Sequence, residues 1–520
     1  MDSDEEKRFM GRTSINVLSN TLRTVLMALI GLLLVPYYLE NLGTAAYGII
    51  PLATTMTSYV MILCDSLTYS SSRYSVLALH KGDDEQSNIA INTAFFGVLR
   101  VCLLLVPVVL VLSYVSPYVF SVPDDMDMEV QVLFLGVLAS SLIVAVASSL
   151  ECVLQARNKL YIIYIIRMVY AVVQLLMIVL MFNTSTPSLA EVGMSYIVSS
   201  VILFVLLYIA AKRNYRGLRI RRRYFSTKTF KEMGTLGLWS IIEKLGGMLY
   251  IQISLVLVNL YLGAEEEAGF AIVSSMISMI HTACFSITSA IPPLIYKCYA
   301  EEDIKGLLEM SVSGIKVTLL ILAFPVAMVI VFAPQILTTW VGVQHEGLAD
   351  LVRIAFLSDM LYCSSTVIDG IPMAYGKLRS IALVTIGAGL MNTVGAIIVL
   401  SFTDYGMEGV MWVWVVAVAI RAMYMFLFTE YLMKVKYRNF IWPLIYGHIV
   451  LAVSVGLLFI LADFVDVEPT WLYIIPFFIV LFLIYLIPMY NLLLNARDRS
   501  IVLSMLPRAI TDRMPAFMKR

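Results

Sequence analysis

Apolar runs of about twenty residues or more recur from one end of this chain to the other, and that repetition restricts the fold more than any motif does. Their approximate limits are 16–37, 45–67, 88–116, 128–153, 160–182, 190–211, 234–261, 267–290, 307–333, 349–373, 379–402, 407–431, 441–463 and 470–494. A helix of about 22 residues rises roughly 33 Å, which is enough to cross the hydrocarbon core of a bilayer. Only 14% of the 520 residues are charged and 60% are hydrophobic, whereas a soluble domain carries about 25% charged residues. Only helices and closed barrels satisfy their backbone groups inside lipid. The chain is therefore expected to be an all-α polytopic membrane protein of the cytoplasmic membrane with about 14 transmembrane helices. A soluble α/β enzyme with buried strands is the competing reading.

Charge placement tests the segment count. One alternate set of gaps comprises residues 1–15, 68–87, 154–159, 212–233, 291–306, 374–378, 432–440 and 495–520. Together with Arg379 at its helix boundary, this set carries 29 of the 36 Lys and Arg. The other set carries none and includes VPDDMDME, GAEEE and DFVDVEP. Basic loops stay on the cytoplasmic side, so both termini are expected in the cytoplasm. The gap 212–231, KRNYRGLRIRRRYFSTKTFK, holds nine basic residues and no acid. It reads as a topology anchor between two halves, a role compatible with contact to anionic headgroups. No nucleic-acid-binding module surrounds it.

The chain repeats itself. YYLENLGTAAYG at 37–48 matches VNLYLGAEEEAGF at 258–270, Arg73–Tyr74–Ser75 matches Lys297–Cys298–Tyr299, and QARNKLYII at 155–163 matches AYGKLRSIA at 374–382. The offsets, 220, 224 and 218 residues, are nearly constant and in order. Two pseudo-equivalent six-helix bundles are expected, 12–211 and 234–431, joined by a basic cytoplasmic linker at 212–233. Two additional spans at 441–494 and a cytoplasmic amphipathic tail at 495–520 follow. Six spans is an even number, so both halves enter from the same side, as in parallel-repeat transporters with a pathway between halves.

Seven basic residues fall inside the spans: Arg23, Arg100, Arg167, Lys244, Lys316, Arg353 and Arg421. A charge in hydrocarbon is costly and marks a functional or paired group. Arg23 lies 20 residues before Gly43, and Lys244 lies 19 before Gly263. The first span of each half thus carries a cation at nearly one depth. Two such cations facing a low-dielectric cleft would concentrate anions there, and guanidinium donors suit phosphate oxygens. Arg23, Lys244, Arg100, Arg167 and Lys316 are the candidate substrate-binding cations. Neutralisation within the bundle, or snorkelling for Arg167 and Lys316, is the alternative for each. Asp65, Asp359, Asp369, Glu151 and Glu243 are the candidate ion-coupling or gating acids. Asp359 and Asp369 are ten residues apart and can share one side of a helix.

The segments LLLVPYYLENLGTAAYG at 32–48, LVNLYLGAEEEAGF at 257–270, IPPLIYKCYAEEDIKGL at 291–307 and AYGKLRSIALVTIGAGLMNTVGAIIVLSFTDYGMEGV at 374–410 resemble a known family in their order and spacing. The last has a GK loop, a helix with an internal Asn392 and a YG-x-x-G turn. The resemblance, over most of residues 12–432, is to the multidrug/oligosaccharidyl-lipid/polysaccharide (MOP) exporter superfamily and its O-antigen-type polysaccharide branch. It implies two six-helix bundles open alternately to each side. The implied cargo is a polyprenyl-diphosphate-linked glycan moved to the outer leaflet, with coupling to Na+, H+ or membrane potential and glycosyltransferases or a polymerase as pathway partners. Arg23 matches a cavity cation of that family, Lys244 does so in the seventh helix, and the last two spans match a lipid-tail groove.

Enzymatic catalysis has no support: HExxH, GxSxG and P-loop patterns are missing, and the four histidines, 80, 281, 345 and 448, are dispersed. The six cysteines are scattered without a CxxC, so neither a disulfide framework nor a zinc site is expected, and no cofactor is implied. Three readings stay open: lipid-linked glycan flippase, cation-coupled multidrug exporter, and non-transporting scaffold of a polysaccharide-synthesis complex.

Overall fold

The computed structural model describes residues 3–80, 84–123, 125–215, 217–288, 291–436, 438–465, 467–495 and 498–499, with some side chains inside these ranges left out. Among the described residues there is no β-strand. The helices are α1 (Ser3–Leu42), α2 (Thr44–His80), α3 (Asp84–Val119), α4 (Asp127–Ser148), α5 (Glu151–Ala156), α6 (Leu160–Thr184) and α7 (Leu189–Asn214). There follow α8 (Thr227–Ile251), α9 (Ile253–Leu262), α10 (Ala264–Thr288), α11 (Ile291–Ala300), α12 (Ile304–Val331) and α13 (Ala333–Val341). The last are α14 (Ala349–Ile368), α15 (Gly370–Ala374), α16 (Leu378–Phe402), α17 (Gly406–Met433), α18 (Ile441–Phe464) and α19 (Trp471–Pro488). Thirteen helical segments have the length and hydropathy to cross a membrane, and α2, 37 residues long, covers the second predicted span. The protein is a multi-pass membrane protein. The tail from residue 500 onward lies outside the described residues.

Two compact units divide the chain, one running to Ala271 and the other from Ile272. In the first, α4 is the most enclosed helix, packed against α7, α3 and α2. A Cβ on Gly136 would run into the Gly193 carbonyl, so the backbones of α4 and α7 approach directly. Without a hydrophobic drive between helices in lipid, such close approach through small residues supplies the packing energy. Ser140, Ser141, Ser195 and Ser199 are buried along these two helices, each hydroxyl donating to a carbonyl one turn back. The helices α8 and α9 and the first turns of α10 also belong to this unit, α8 packing on α2 and α3. Asn259 of α9 accepts from Ser121 N at 3.0 Å and donates to Ser121 O at 3.3 Å. In the second unit α12 is the enclosed helix, 78% of its apolar window buried. It packs on α14 and α18, and α19 docks through a Tyr485 hydroxyl that donates to Leu320 O at 2.6 Å.

The internal repeat is visible in hydrogen bonds. Gly43 and Gly263 both stand at positive φ, +82° and +98°, and donate to Leu39 O and Asn259 O at 3.1 and 3.0 Å. Asn158 and Gly376, 218 positions apart, are both left-handed, φ 52° and 68°. Asn158 N donates to Gln155 O at 3.0 Å and Lys159 N to Leu154 O at 2.9 Å. Gly376 N donates to Met373 O at 3.0 Å and Lys377 N to Pro372 O at 2.8 Å. Both are Schellman caps that satisfy helix-end carbonyls with the same two bonds. Each follows a short helix, α5 or α15, set off from the span before it.

Nothing lies within 4 Å of a Cβ built on Gly376, so substitution there costs backbone strain alone. Gly376→Ala is expected to lower unfolding stability by about 1–2 kcal/mol. Gly376→Asn, the residue type at the matching turn, should cost less. Thermal unfolding in detergent measures both.

Candidate functional site

Four elements of the first unit converge on a polar cluster within the spans. The interruption after α4 lets α5 begin at Glu151, one turn beyond Ser148, and α6 brings Arg167 across to them. Arg167 Nη2 donates to Glu151 Oε1 at 2.7 Å and Nε to the same oxygen at 3.1 Å. Nη2 also lies 3.3 Å from Ser148 Oγ. Glu151 is nearly buried, and Arg167 keeps 32% of its side chain exposed. Arg23 reaches the cluster from α1. Its Nη2 donates to Asn20 Oδ1 at 3.2 Å, and its guanidinium stands 5.5 Å from the centre of the Tyr164 ring. Its Nε is buried without an acceptor among the described residues. Arg167 and Glu151 are the charged groups that act on it electrostatically.

The charge count decides what this cluster can do. Two guanidiniums share one carboxylate, and Arg167 takes that carboxylate in a two-bond grip. Arg23 is left with a neutral amide oxygen and an aromatic face. Both interactions are weaker than a charged acceptor. The cluster therefore retains one positive charge in a low-dielectric setting, suited to an anionic group carrying acceptor oxygens.

A second cluster lies in the second unit. His281 of α10 lies 2.9 Å, Nε2 to Oδ1, from Asp359 of α14, and its ring stacks on Tyr362 with centroids 3.9 Å apart. Asp359 is fully buried, and its Oδ2 has no partner among the described residues. Asp369, just past the end of α14, faces a different partner. Arg421 Nη2 of α17 lies 3.7 Å from Asp369 Oδ1, longer than a hydrogen bond, while its Nε and Nη1 donate to Thr385 Oγ1 and Ser365 Oγ at 3.3 and 3.4 Å. The two aspartates, ten residues apart, thus serve separate partners.

The remaining predicted residues are dispersed. Arg100 is exposed on α3, its guanidinium 3.9 Å from the centre of the Phe225 ring in the basic linker. Lys316 of α12 pairs with Asp498 at 2.8 Å, beside the Tyr446 ring of α18. Lys244 has an exposed side chain on α8, next to the partly buried Glu243. It shares the first compact unit with Arg23. The side chain of Asp65 lies outside those described. His281 escaped the sequence reading because its partner is 78 positions away. Glu267 escaped as well, counted only as a loop acid. It is fully buried against Gly48, and neither carboxylate oxygen has a partner among the described residues. Its burial separates it from the exposed Glu265 and Glu266 beside it, a difference the sequence alone does not carry. Among the described residues no group of three or more His, Cys, Asp or Glu could hold a metal ion.

A family model described as polysaccharide biosynthesis protein matches residues 15–299. Another, described as MatE, matches residues 240–398. The uncharacterized membrane protein EpsK of Bacillus subtilis (strain 168) is 23% identical over 397 residues, covering 76% of this chain and 79% of EpsK. In fold, the chain is similar to an inward-facing multidrug resistance MATE family transporter of the MOP superfamily, with TM-score 0.69 and 15% identity over 79% of this chain and 94% of the other. An outward-facing structure so described gives TM-score 0.61 at 15% identity, covering 82% and 96%. A MOP superfamily transporter from Pyrococcus furiosus, reported with a binding pocket of reversed polarity, gives 0.60 at 16% identity, also over 82% and 96%.

If Arg167 and Glu151 form a unit, a double-mutant cycle with Arg167→Gln and Glu151→Gln should give a coupling energy of roughly 1–2 kcal/mol in detergent unfolding. A coupling near zero would leave the two side chains independent and Arg167 as free as Arg23.

Proposed function

The chain belongs to the polysaccharide biosynthesis protein family, and from that membership we propose that it is an alternating-access transporter of the cytoplasmic membrane whose cargo is a polyprenyl-diphosphate-linked oligosaccharide. The observation that carries this reading is the surplus positive charge at Arg23. The family match spans the whole first-unit cluster, including Arg23, Glu151 and Arg167. A diphosphate presents several acceptor oxygens and at least one negative charge, the complement of a guanidinium with a buried Nε–H and no carboxylate of its own. The cargo enters from the inner leaflet and leaves to the outer one. Arg23 and Arg167 meet the diphosphate, with Glu151 setting the orientation of Arg167. Lys244 lies on the same unit. The likeness to both inward-facing and outward-facing relatives supports alternating access as the mode of movement.

A second reading has its own observation. The solved structures of like fold include multidrug transporters, and the second unit buries an acid, Asp359, against His281. In a cation-coupled multidrug exporter these two would carry the coupling proton or cation and Arg23 would be dispensable. The flippase reading takes the same pair as the coupling site and keeps Arg23 as the cargo contact, so the two readings differ in what Arg23 does.

Reconstitution into vesicles with a fluorescent polyprenyl-diphosphate-linked oligosaccharide separates them. Arg23→Gln is expected to slow transfer between leaflets roughly 10- to 100-fold, the value of one hydrogen bond to a charged group. Asp359→Asn should abolish dependence on an imposed gradient. Unchanged transfer in Arg23→Gln, together with drug transport that disappears in Asp359→Asn, would give the protein to the exporter reading.

A further inference from the structure

The basic linker between α7 and α8 is not a loose loop. Gly217 O accepts from Asn88 Nδ2 at 2.9 Å, and Arg219 N donates to Asn88 Oδ1 at 2.8 Å. One turn further along α3, Arg219 O accepts from Asn92 Nδ2 and Arg221 N donates to Asn92 Oδ1, both at 2.8 Å. Two asparagine amides thus imitate the edge of a neighbouring strand. The match is geometric: four helical residues rise about 6 Å, close to the roughly 6.7 Å that two extended residues span. Arg221 has extended backbone angles, φ −145° and ψ 135°. Farther on, Ser226 N donates to Thr93 Oγ1 at 3.0 Å, and the Phe230 ring covers Gly97. Asn88, Asn92 and Thr93 are all buried.

Pinning one edge of the backbone fixes what the side chains do. Leu218 is buried at 6% exposure while Arg219, Arg221, Arg222 and Arg223 are exposed. Arg219 and Arg221, two apart in an extended chain, project to one side. Arg223 follows, its Nη2 donating to Tyr224 Oη at 2.9 Å, and Arg100 of α3 rests on Phe225. This strip joins α7 to α8, and the charge asymmetry of the loops assigns that connection to the cytoplasmic side. Among the described residues none of these arginines has a carboxylate partner, and the segment from Lys212 to Lys231 contains no acid.

We propose that the strap is a docking strip for the phosphate groups of anionic lipids at the cytoplasmic surface. Arg219, Arg221, Arg222 and Arg223 bind phosphate, and Asn88 and Asn92 hold them in register. Four arginines on a pinned backbone lose less freedom on meeting headgroups than four on a mobile loop would, and each adds attraction to an anionic surface. The inference rests on the orientation given by the charge asymmetry of the loops and is independent of which cargo the protein carries.

The test uses the full-length protein purified in detergent. Lipid retention is read by native mass spectrometry, and thermal unfolding is followed with added phosphatidylglycerol, phosphatidylcholine or inorganic pyrophosphate. The wild type is expected to retain phosphatidylglycerol and be stabilised by it, and to ignore phosphatidylcholine. Changing Arg219, Arg221, Arg222 and Arg223 together to Gln should reduce phosphatidylglycerol retention roughly tenfold or more. Lys212, Arg213, Lys228 and Lys231 remain in that variant, so the cue for orientation is kept. The pair Asn88→Ala and Asn92→Ala, which leaves every charge in place, should also reduce retention. Equal retention by the four-arginine variant would overturn the proposal. So would stabilisation by pyrophosphate as strong as that by phosphatidylglycerol, which would assign the strip to a soluble anion instead.

Discussion

Inside a bilayer every polar group needs a partner supplied by the protein itself, and this requirement governs nearly every non-apolar residue described above. The serines of α4 and α7 return their hydroxyls to their own helix. The helix ends at Asn158 and Gly376 close on themselves with paired caps. Arg167 takes Glu151, Lys316 takes Asp498, and Asp359 takes His281. Among the described residues the requirement is left unmet at several buried atoms, including Arg23 Nε, Asp359 Oδ2 and both carboxylate oxygens of Glu267, and each carries a desolvation cost. Of these three charged groups Arg23 alone is a cation.

The two clusters differ in character as well as in position. In the first unit a cation remains after pairing. In the second, an acid is buried within hydrogen-bond distance of a histidine ring. A transporter needs one place that recognises cargo and one that responds to a gradient. On the proposed function, two separate clusters, each built inside its own unit, would divide these needs without forcing one residue to do two tasks.

Much of the architecture could be read from the chain because hydrophobic length and basic-residue asymmetry are properties of single segments. Each expected span has its helix, and the matched turns at Gly43 and Gly263 follow from a local need for positive φ. The repeat at 155–163 and 374–382 survived as identical hydrogen bonds although one turn uses Asn and the other Gly. Pairing of charges was not legible to the same degree. Glu151 and Arg167 are separated by a helix break, His281 and Asp359 by 78 positions, and Lys316 and Asp498 by 182. Which flank of a helix meets which neighbour depends on rotation about its axis, and a uniformly apolar helix gives no periodicity from which to read that rotation. The division into compact units was hidden for a similar reason: α8 and α9 follow the basic linker in sequence but pack with the helices before it.

The strap on α3 also changes what its residues would show in isotope exchange. A stretch as charged as RIRRR would ordinarily give up its backbone protons to water within moments. Here the amides of Arg219 and Arg221 point into the helix and are held by Asn88 and Asn92, and that of Ser226 is held by Thr93. Their deuterium uptake should resemble that of a buried strand, even while the guanidiniums on the same residues stay fully wet. A segment that looks like the best place to cut or splice this protein is thus stitched to its scaffold, and opening it would first require undoing a run of bonds that no hydropathy plot reveals.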